Sequence, residues 1–173
     1  MRTYFLLAVA ALLGIAGPAL GQQTIGDTQL QLQGSVFLGG SGDKDNSGAI
    51  SVDLGRFFTD NQEIGLTATG GFVTNGKFSG FGGAYYRYNF SQGKIVPYLG
   101  AAAGTTFGNL GNSNSNIKID STSTIATAEA GVRFFVDRRT AFTVETSKNY
   151  FFKTKDFDKG LTIQFGFSHL WGK

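Results

Sequence analysis

The sequence predicts an all-β protein: a single eight-stranded antiparallel up-and-down transmembrane β-barrel, preceded by a helical signal peptide. Three observations predict this fold. Apolar and polar residues alternate along eight segments, the connections between the segments are alternately short and long, and large aromatic residues gather at one end of the segments. The barrel is expected to begin near Asp27 and to end at Trp171.

Residues 1–21 have the organisation of a secretory signal peptide. A basic residue precedes an apolar run over residues 5–16, and the small residues Ala19 and Gly21 stand at the −3 and −1 positions of a cleavage site. The apolar run is shorter than the ~20 residues that a membrane-spanning helix needs. We therefore expect cleavage after Gly21 and a mature barrel domain over residues 22–173.

Period-two alternation runs through the rest of the chain. It is clearest at the C-terminus, where every second residue from Leu161 to Trp171 except His169 is apolar. A strand that crosses a bilayer needs ~9–11 residues, and an even number of strands returns both ends to one side. Alanine and glycine occupy both faces of the fifth segment, so its phase stays open. The eight segments cover residues 29–38, 50–55, 64–69, 82–90, 95–106, 124–135, 141–152 and 161–171.

The connections between the segments alternate in length. The short ones cover residues 58–62, 91–94 and 136–139, and the long ones cover residues 39–47, 73–80, 109–121 and 153–160. Short turns on one side and long loops on the other are typical of outer-membrane barrels, in which the short turns face the periplasm. The polar low-complexity tract at residues 112–116 lies in the third long loop.

The composition excludes several classes of protein. The chain has 173 residues with 26 glycines and 2 prolines, and it has no cysteine and one histidine. A disulfide framework and a cysteine-ligated zinc site are therefore excluded, and we expect no metal and no cofactor. Without the predicted signal peptide, 14 basic residues stand against 12 acidic ones, and no basic run occurs. This balance gives no reason to expect nucleic acid binding.

The polar face of the segments carries small residues together with charges of both signs. A soluble, lipocalin-like barrel would turn such a face outward, but a soluble exterior carries about 25–35% charged residues, and the whole chain has 16%. The composition favours the inverted barrel, with a narrow lumen filled by side chains that satisfy one another. The alternative is that some of these charges stand singly in water at a barrel mouth. The predicted lumen network consists of Asp53, Arg87, Glu129, Arg133 and Glu145.

Large aromatic residues collect at the short-turn ends of the strands, as in the aromatic girdle of a membrane barrel. Ordinary core packing would not place them at one level in four strands. Tyr98 and Phe142 are expected near the same level on ascending strands. The predicted girdle consists of Phe57, Phe58, Tyr88, Phe90, Phe134 and Trp171.

Several stretches resemble a known group of proteins. The C-terminal residues Gln164-Phe165-Gly166-Phe167-Ser168-His169-Leu170-Trp171 resemble the signal that the barrel-assembly machinery reads in outer-membrane proteins, although Gly172 and Lys173 follow the final aromatic residue here. Residues 55–61, 85–88 and 97–101 resemble the "porin family" outer-membrane β-barrel domain proteins, which are close in size to the OmpX and OmpA barrels. The resemblance implies this fold over the whole mature chain, whereas the functions of the family are diverse.

The leading hypothesis is a non-enzymatic barrel of the cell outer membrane with a structural or surface-interaction role. Eight strands leave an interior that side chains just fill, which argues against an open general pore. A lipid-A-modifying enzyme is a second hypothesis, suggested by neighbouring Ser168 and His169, but adjacent strand residues point to opposite faces and cannot act as nucleophile and base. A soluble periplasmic lipocalin-like barrel that binds a ligand is a third hypothesis, and adhesion through the long loops is a fourth.

The expected partners follow from the leading hypothesis. They are outer-membrane lipid and lipopolysaccharide along the barrel wall, and the barrel-assembly machinery through the C-terminal strand. We expect a monomer that binds no nucleic acid.

Overall fold

The computed structural model describes residues 23–38, 47–73, 78–108, 122–153, 155–157 and 161–172. The predicted signal peptide at residues 1–21 and the polar tract at residues 112–116 lie outside these ranges. Within the described part of the chain, no helix is long and apolar enough to cross a membrane.

The described residues form a closed, all-antiparallel β-barrel, which confirms the predicted fold class. Seven long strands follow one another around the wall, and the C-terminal strand pairs with both the first and the seventh strand to close it. A closed barrel has no free sheet edge along these strands. The strands are β1 (Thr28–Leu38), β2 (Ser47–Phe57), β3 (Gln62–Val73), β4 (Phe78–Asn89), β5 (Ile95–Gly108), β6 (Thr122–Phe135), β7 (Thr140–Phe151), β8 (Asp156–Phe157) and β9 (Leu161–Trp171).

The short strand β8 is the one element that the sequence pattern does not predict. It pairs with the end of β7, with Tyr150 opposite Phe157 and Phe151 opposite Asp156. The pairing of β7 with β9 ends at Ser147. Beyond that residue, β8 pairs with β7 in place of β9. Two residues are too few for period-two alternation to be recognised in a sequence.

The alternation along each strand separates a polar interior from an apolar exterior. Most of the buried strand side chains are polar or charged, whereas most of the large exposed strand side chains are leucine, isoleucine, valine or aromatic residues. This is the reverse of a lipocalin-like barrel, whose apolar residues fill the inside. The exposed apolar side chains include Leu32, Ile50, Leu54, Ile64, Leu66, Leu99, Phe165 and Phe167.

The structure settles the phase of β5, which the sequence leaves open. Val96, Tyr98, Ala102 and Thr106 are buried inside the barrel, and Leu99, Ala101, Ala103 and Thr105 are exposed on the outside. Tyr98 therefore points into the lumen, and its expected place near the girdle is wrong.

The three predicted short turns connect β2 to β3, β4 to β5 and β6 to β7. In the last of them, the backbone N–H groups of Arg139 and Thr140 each donate a hydrogen bond of 2.7 Å to the Asp137 carboxylate. These donors stabilise the ionised carboxylate and hold the pKa of Asp137 below its ordinary value. The turn is thus fixed by the side chain of Asp137 itself.

Five of the six predicted girdle residues are exposed at the short-turn ends of the strands: Phe58, Tyr88, Phe90, Phe134 and Trp171. Phe57 is the exception and corrects the prediction, because its side chain is 1% exposed and lies inside the barrel. Phe57 stands two and four residues beyond Gly55 and Asp53, which belong to the inner face of β2. Period two therefore sends it inward as well.

Candidate functional site

An apolar layer closes the lumen at its short-turn end. It is built from strand ends that meet beside the turns, and all its side chains are buried. A large phenylalanine from each of two strands fills the narrow interior there, as expected for a barrel of this strand number. The layer consists of Phe57, Val96, Phe135, Ala141 and Leu170.

Arg133 forms an ion pair across the lumen from β6 to β3. Its Nη2 lies 2.9 Å from Glu63 Oε2, and its Nη1 donates a hydrogen bond of 2.7 Å to Asn89 Oδ1. The Tyr85 hydroxyl donates to the other oxygen of Glu63 at 2.5 Å. Since Arg133 and Glu63 are both 0% exposed, each charge depends on the other for its compensation.

Arg87 holds three carboxylates from three other strands. Its Nη2 lies 2.7 Å from Asp53 Oδ2 and 3.3 Å from Glu145 Oε2, and its Nε lies 3.0 Å from Glu129 Oε2. The Tyr98 hydroxyl also donates to Glu145 Oε2, at 2.6 Å. One guanidinium thus connects β2, β4, β6 and β7 through the interior.

The two guanidinium groups also lie against the rings of the lumen tyrosines. Arg87 Cζ is 4.2 Å from the centroid of the Tyr85 ring, and Arg133 Cζ is 4.6 Å from that of Tyr98. Such cation–π contacts are stronger when water is excluded. The arginine and tyrosine side chains therefore stack on one another inside the lumen.

Amides and hydroxyls extend the network toward the long-loop end. Gln31 Nε2 donates to Asp53 at 3.4 Å, and Gln164 Nε2 donates to Glu145 at 3.2 Å. Ser51 then bridges Gln164 and Thr69. This end of the lumen is lined by short polar side chains and is less tightly closed, since Thr69 and Gln164 are partly exposed.

Interior glycines make room for the long side chains of the network. Tyr98 on β5 is paired with Gly131 on β6, which is paired with Glu145 on β7, so Tyr98 lies across the glycine to reach the carboxylate. Arg87 reaches Glu129 across Gly100 in the same way. A Cβ on Gly131 would collide with the Tyr98 ring, and one on Gly100 would lie 2.8 Å from Arg87 Cγ.

The structure places all five residues of the predicted network in the lumen and buries each of them. Asp53, Glu129 and Glu145 share Arg87, whereas Arg133 stands apart from them. Its carboxylate partner, Glu63, is absent from the predicted set.

The sequence contains a signal for two of the three residues that the prediction missed. Glu63 has the same parity as the inward-facing Gly65 and Thr67, but it borders the turn at residues 58–62. Tyr85 lies on the predicted polar face of β4, but as an aromatic residue it was not counted among the polar side chains, although its hydroxyl can donate a hydrogen bond. Tyr98 lies in the segment whose phase was open. A strict period-two count from the turns would have included Glu63 and Tyr85.

Neither a metal cluster nor a contact between Ser168 and His169 is found among the described residues. Among the described residues, no group of three His, Asp or Glu side chains has the geometry of a metal site. Ser168 is buried inside, whereas His169 is exposed outside and lies 3.1 Å from the Thr140 hydroxyl. The two side chains are therefore separated by the barrel wall.

The fold and the site define the class of protein: a closed eight-stranded β-barrel with buried charged residues in its interior and large apolar residues on its exterior. No family model matches the chain, and no curated protein matches its sequence. Among solved structures, the N-terminal β-barrel domain of Pseudomonas aeruginosa OprF is similar with a TM-score of 0.68 and 15% identity, over 86% of this chain and 100% of that one.

Two further outer-membrane barrels are similar over most of their length. Neisserial surface protein A has a TM-score of 0.58 and 17% identity, over 83% of this chain and 94% of its own. The outer-membrane protein OprG from Pseudomonas aeruginosa has a TM-score of 0.57 and 12% identity, over 88% of this chain and 99% of its own. The chain therefore has the fold of the eight-stranded outer-membrane barrels.

Proposed function

We propose that the chain is a bacterial outer-membrane protein whose barrel is inserted in the lipid bilayer. The observation that carries this proposal is the inverted distribution of side chains. Large apolar residues cover the outer wall, and charged residues are buried within it. In water, exposed apolar patches of this extent would cause association, whereas in lipid the same wall is favourable and the polar lumen is shielded.

The exposed aromatic residues support the same placement. Phe58, Tyr88, Phe90, Phe134 and Trp171 stand at one end of the wall, where the interface between lipid and water would lie. Tyr88 and Phe90 contact each other edge to face, with ring centroids 5.3 Å apart. The short turns then face the periplasm and the long loops face the cell exterior.

We propose further that the barrel does not serve as a general diffusion pore. The apolar layer at the turn end and the two arginine clusters above it support this proposal, because they place bulky buried side chains across the lumen. The role is structural or depends on interactions at the surface, and no enzymatic step is assigned. The separation of Ser168 from His169 by the wall supports this view against a lipid-A-modifying hydrolase.

The partners in this proposal are lipids, including lipopolysaccharide, around the wall and the barrel-assembly machinery at β9. The strand β9 closes the barrel by pairing with β1 and β7. Recognition of β9 by the assembly machinery would therefore act on the strand that completes the barrel. The protein is proposed to act as a monomer.

Membrane fractionation combined with gel electrophoresis tests the placement. The protein should be found in the outer-membrane fraction, and samples run with and without boiling should differ in mobility, because a closed barrel resists detergent until it is heated. A soluble periplasmic protein with one mobility would refute the proposal.

Liposome swelling tests the closed lumen separately. Proteoliposomes should admit small sugars no faster than protein-free vesicles do. The combined variant Arg87→Ala/Phe57→Ala/Phe135→Ala should increase the rate, because it removes bulky side chains both from the apolar layer and from the cluster above it, whereas the outward-facing Leu66→Ala should not. Rapid sugar entry with the unaltered protein would contradict a closed lumen while leaving membrane insertion intact.

A further inference from the structure

The outer face of β7 carries a lysine where the wall is otherwise apolar. Lys148 is exposed on this face, between the inward-facing Ser147 and Asn149. Among the outward-facing strand positions that the structure describes, Arg56 near the turn end is the other Lys or Arg. An ammonium on the wall of a membrane barrel costs free energy unless it reaches the interface or an anion.

The height of Lys148 places it in the loop-side half of the wall. It stands six residues beyond Phe142, which is paired with the girdle residue Phe134. At ~3.3 Å per residue and a strand tilt of ~40°, this is about 15 Å in a wall whose apolar band is ~25 Å tall. The lysine stem can therefore extend toward the loop-side interface.

An aromatic cluster lies beside Lys148 because β8 folds back on β7. The Tyr150 ring is 5.0 Å from that of Phe157 and 5.3 Å from that of Phe152, both edge to face. Lys148 Nζ lies 5.9 Å from the centre of the Phe157 ring. This contact directs the ammonium toward the hairpin that β7 and β8 form.

The hairpin turn between β7 and β8 contains two more lysines. Lys153 and Lys155 are both exposed, and Lys155 adopts a left-handed backbone conformation with φ 55°. Residues 148–157 thus contain three lysines and one acidic residue, Asp156. The patch thus combines three cationic side chains with a cluster of aromatic rings.

A floor of small residues lies next to the patch. On β6, Ala128 is paired with Lys148 and Ala126 with Tyr150. On β5, Ala101 and Ala103 continue the same two rows. The short alanine side chains therefore leave a shallow apolar strip on the wall beside Lys148 and Tyr150.

We propose that Lys148, Lys153 and Lys155 bind the phosphate headgroup of an acylated lipid in the loop-side leaflet, with an acyl chain on the alanine floor. The inference rests on the proposed membrane placement, and it adds a site and a ligand chemistry to it. Charge complementarity identifies the headgroup as anionic. The rings and the apolar floor beside Lys148 are suited to hydrocarbon, so a ligand that covers them carries an acyl chain.

Native mass spectrometry of the detergent-folded protein tests this site, with lipid A and its dephosphorylated form as probes. The variant K148Q/K153Q/K155Q should bind lipid A at least about tenfold more weakly, since each lysine near a phosphate contributes to affinity. The dephosphorylated form should bind the parent more weakly than lipid A does, and it should bind the triple variant as strongly as it binds the parent. The matched variant K94Q/R138Q/R139Q removes three exposed cations at the turn end and should bind lipid A as the parent does.

Two outcomes would overturn the site: equal weakening in both triple variants, or unchanged binding in the first. Heat-modifiable mobility of each variant shows independently that the barrel has folded, so a folded barrel without the lipid preference refutes the site and not the membrane placement.

The single variant Lys148→Met gives a second test, because its effect on resistance to urea should differ between micelles without lipid A and micelles with it. In uncharged micelles it should leave resistance to urea unchanged or raise it, because a charge on the wall is removed. In micelles that contain lipid A it should lower the resistance, because a phosphate contact is lost. The same effect in both kinds of micelle would contradict a phosphate site.

Discussion

The ion pair between Arg133 and Glu63 should contribute strongly to the stability of the barrel. In Arg133→Ala, the Glu63 carboxylate loses a contact of 2.9 Å and retains the hydrogen bond from the Tyr85 hydroxyl. Both members of the pair are 0% exposed, so water cannot replace the guanidinium without entering the lumen. Loss of one partner from such a buried pair costs about 3–5 kcal/mol.

A second substitution separates the charge effect from the loss of packing. In Arg133→Ala/Glu63→Gln, no uncompensated carboxylate remains, and the glutamine can still accept the Tyr85 hydrogen bond. The double variant should therefore be more stable than Arg133→Ala by about 1–3 kcal/mol, the cost of a buried unsatisfied group. Thr143→Ala is the control, because Thr143 is paired with Arg133 and its buried hydroxyl has no hydrogen-bond partner within the described residues.

Urea titration in lipid vesicles, read from gel mobility without boiling, measures these differences. The expected order of unfolding midpoints is parent and Thr143→Ala highest, then the double variant, then Arg133→Ala. An unchanged midpoint in Arg133→Ala would refute the pair as a stabilising contact. A double variant no more stable than Arg133→Ala would show that cavity formation, and not charge, accounts for the loss.

Three other predictions concern the packing, the wall and a turn. Gly131→Ala should cost about 1–3 kcal/mol through collision with the Tyr98 ring, and Tyr98→Ala in the same chain should remove most of that additional cost in a urea titration. Leu66→Lys should cost about 2–4 kcal/mol in a bilayer, since Leu66 is 66% exposed on the wall, whereas Leu66→Met should change little. Asp137 has a pKa below its ordinary value, so its stabilising effect is complete above that ordinary value of ~3.9 and is lost as the pH falls through the folded-state pKa. In Asp137→Asn, the unfolding midpoint should therefore fall less steeply as the pH is lowered into the acid range. An unaltered dependence on pH would contradict a stabilising role for the Asp137 carboxylate in this turn.

The sequence predicts the fold well because a single physical constraint acts along the whole chain. A strand between lipid and a polar lumen must alternate its side chains, so period two identifies both the strand and its inner face. The same rule, applied strictly from Asp53, would have placed Phe57 inside. Its position beside Phe58 at a strand end instead gave it the appearance of a girdle residue.

The pairing within the lumen is less accessible to sequence analysis. Arg133 and Glu63 are 70 residues apart and contact each other across the interior, so their partnership depends on the relative heights of β3 and β6. The glycines decide which side chain can lie across which neighbour, as Gly131 does for Tyr98. Period two identifies the inward-facing members of the network but not their partners.

The central claim is that the polar faces of the strands point into a lumen and the apolar faces point into lipid. The chain has no cysteine, so single cysteines along β3 can each carry one fluorescent label without background. In vesicles with brominated acyl chains, labels at positions 64, 66 and 68 should be quenched, and labels at positions 67 and 69 should not. Quenching at 67 and 69 in place of 64, 66 and 68, or quenching without alternation, would contradict the account.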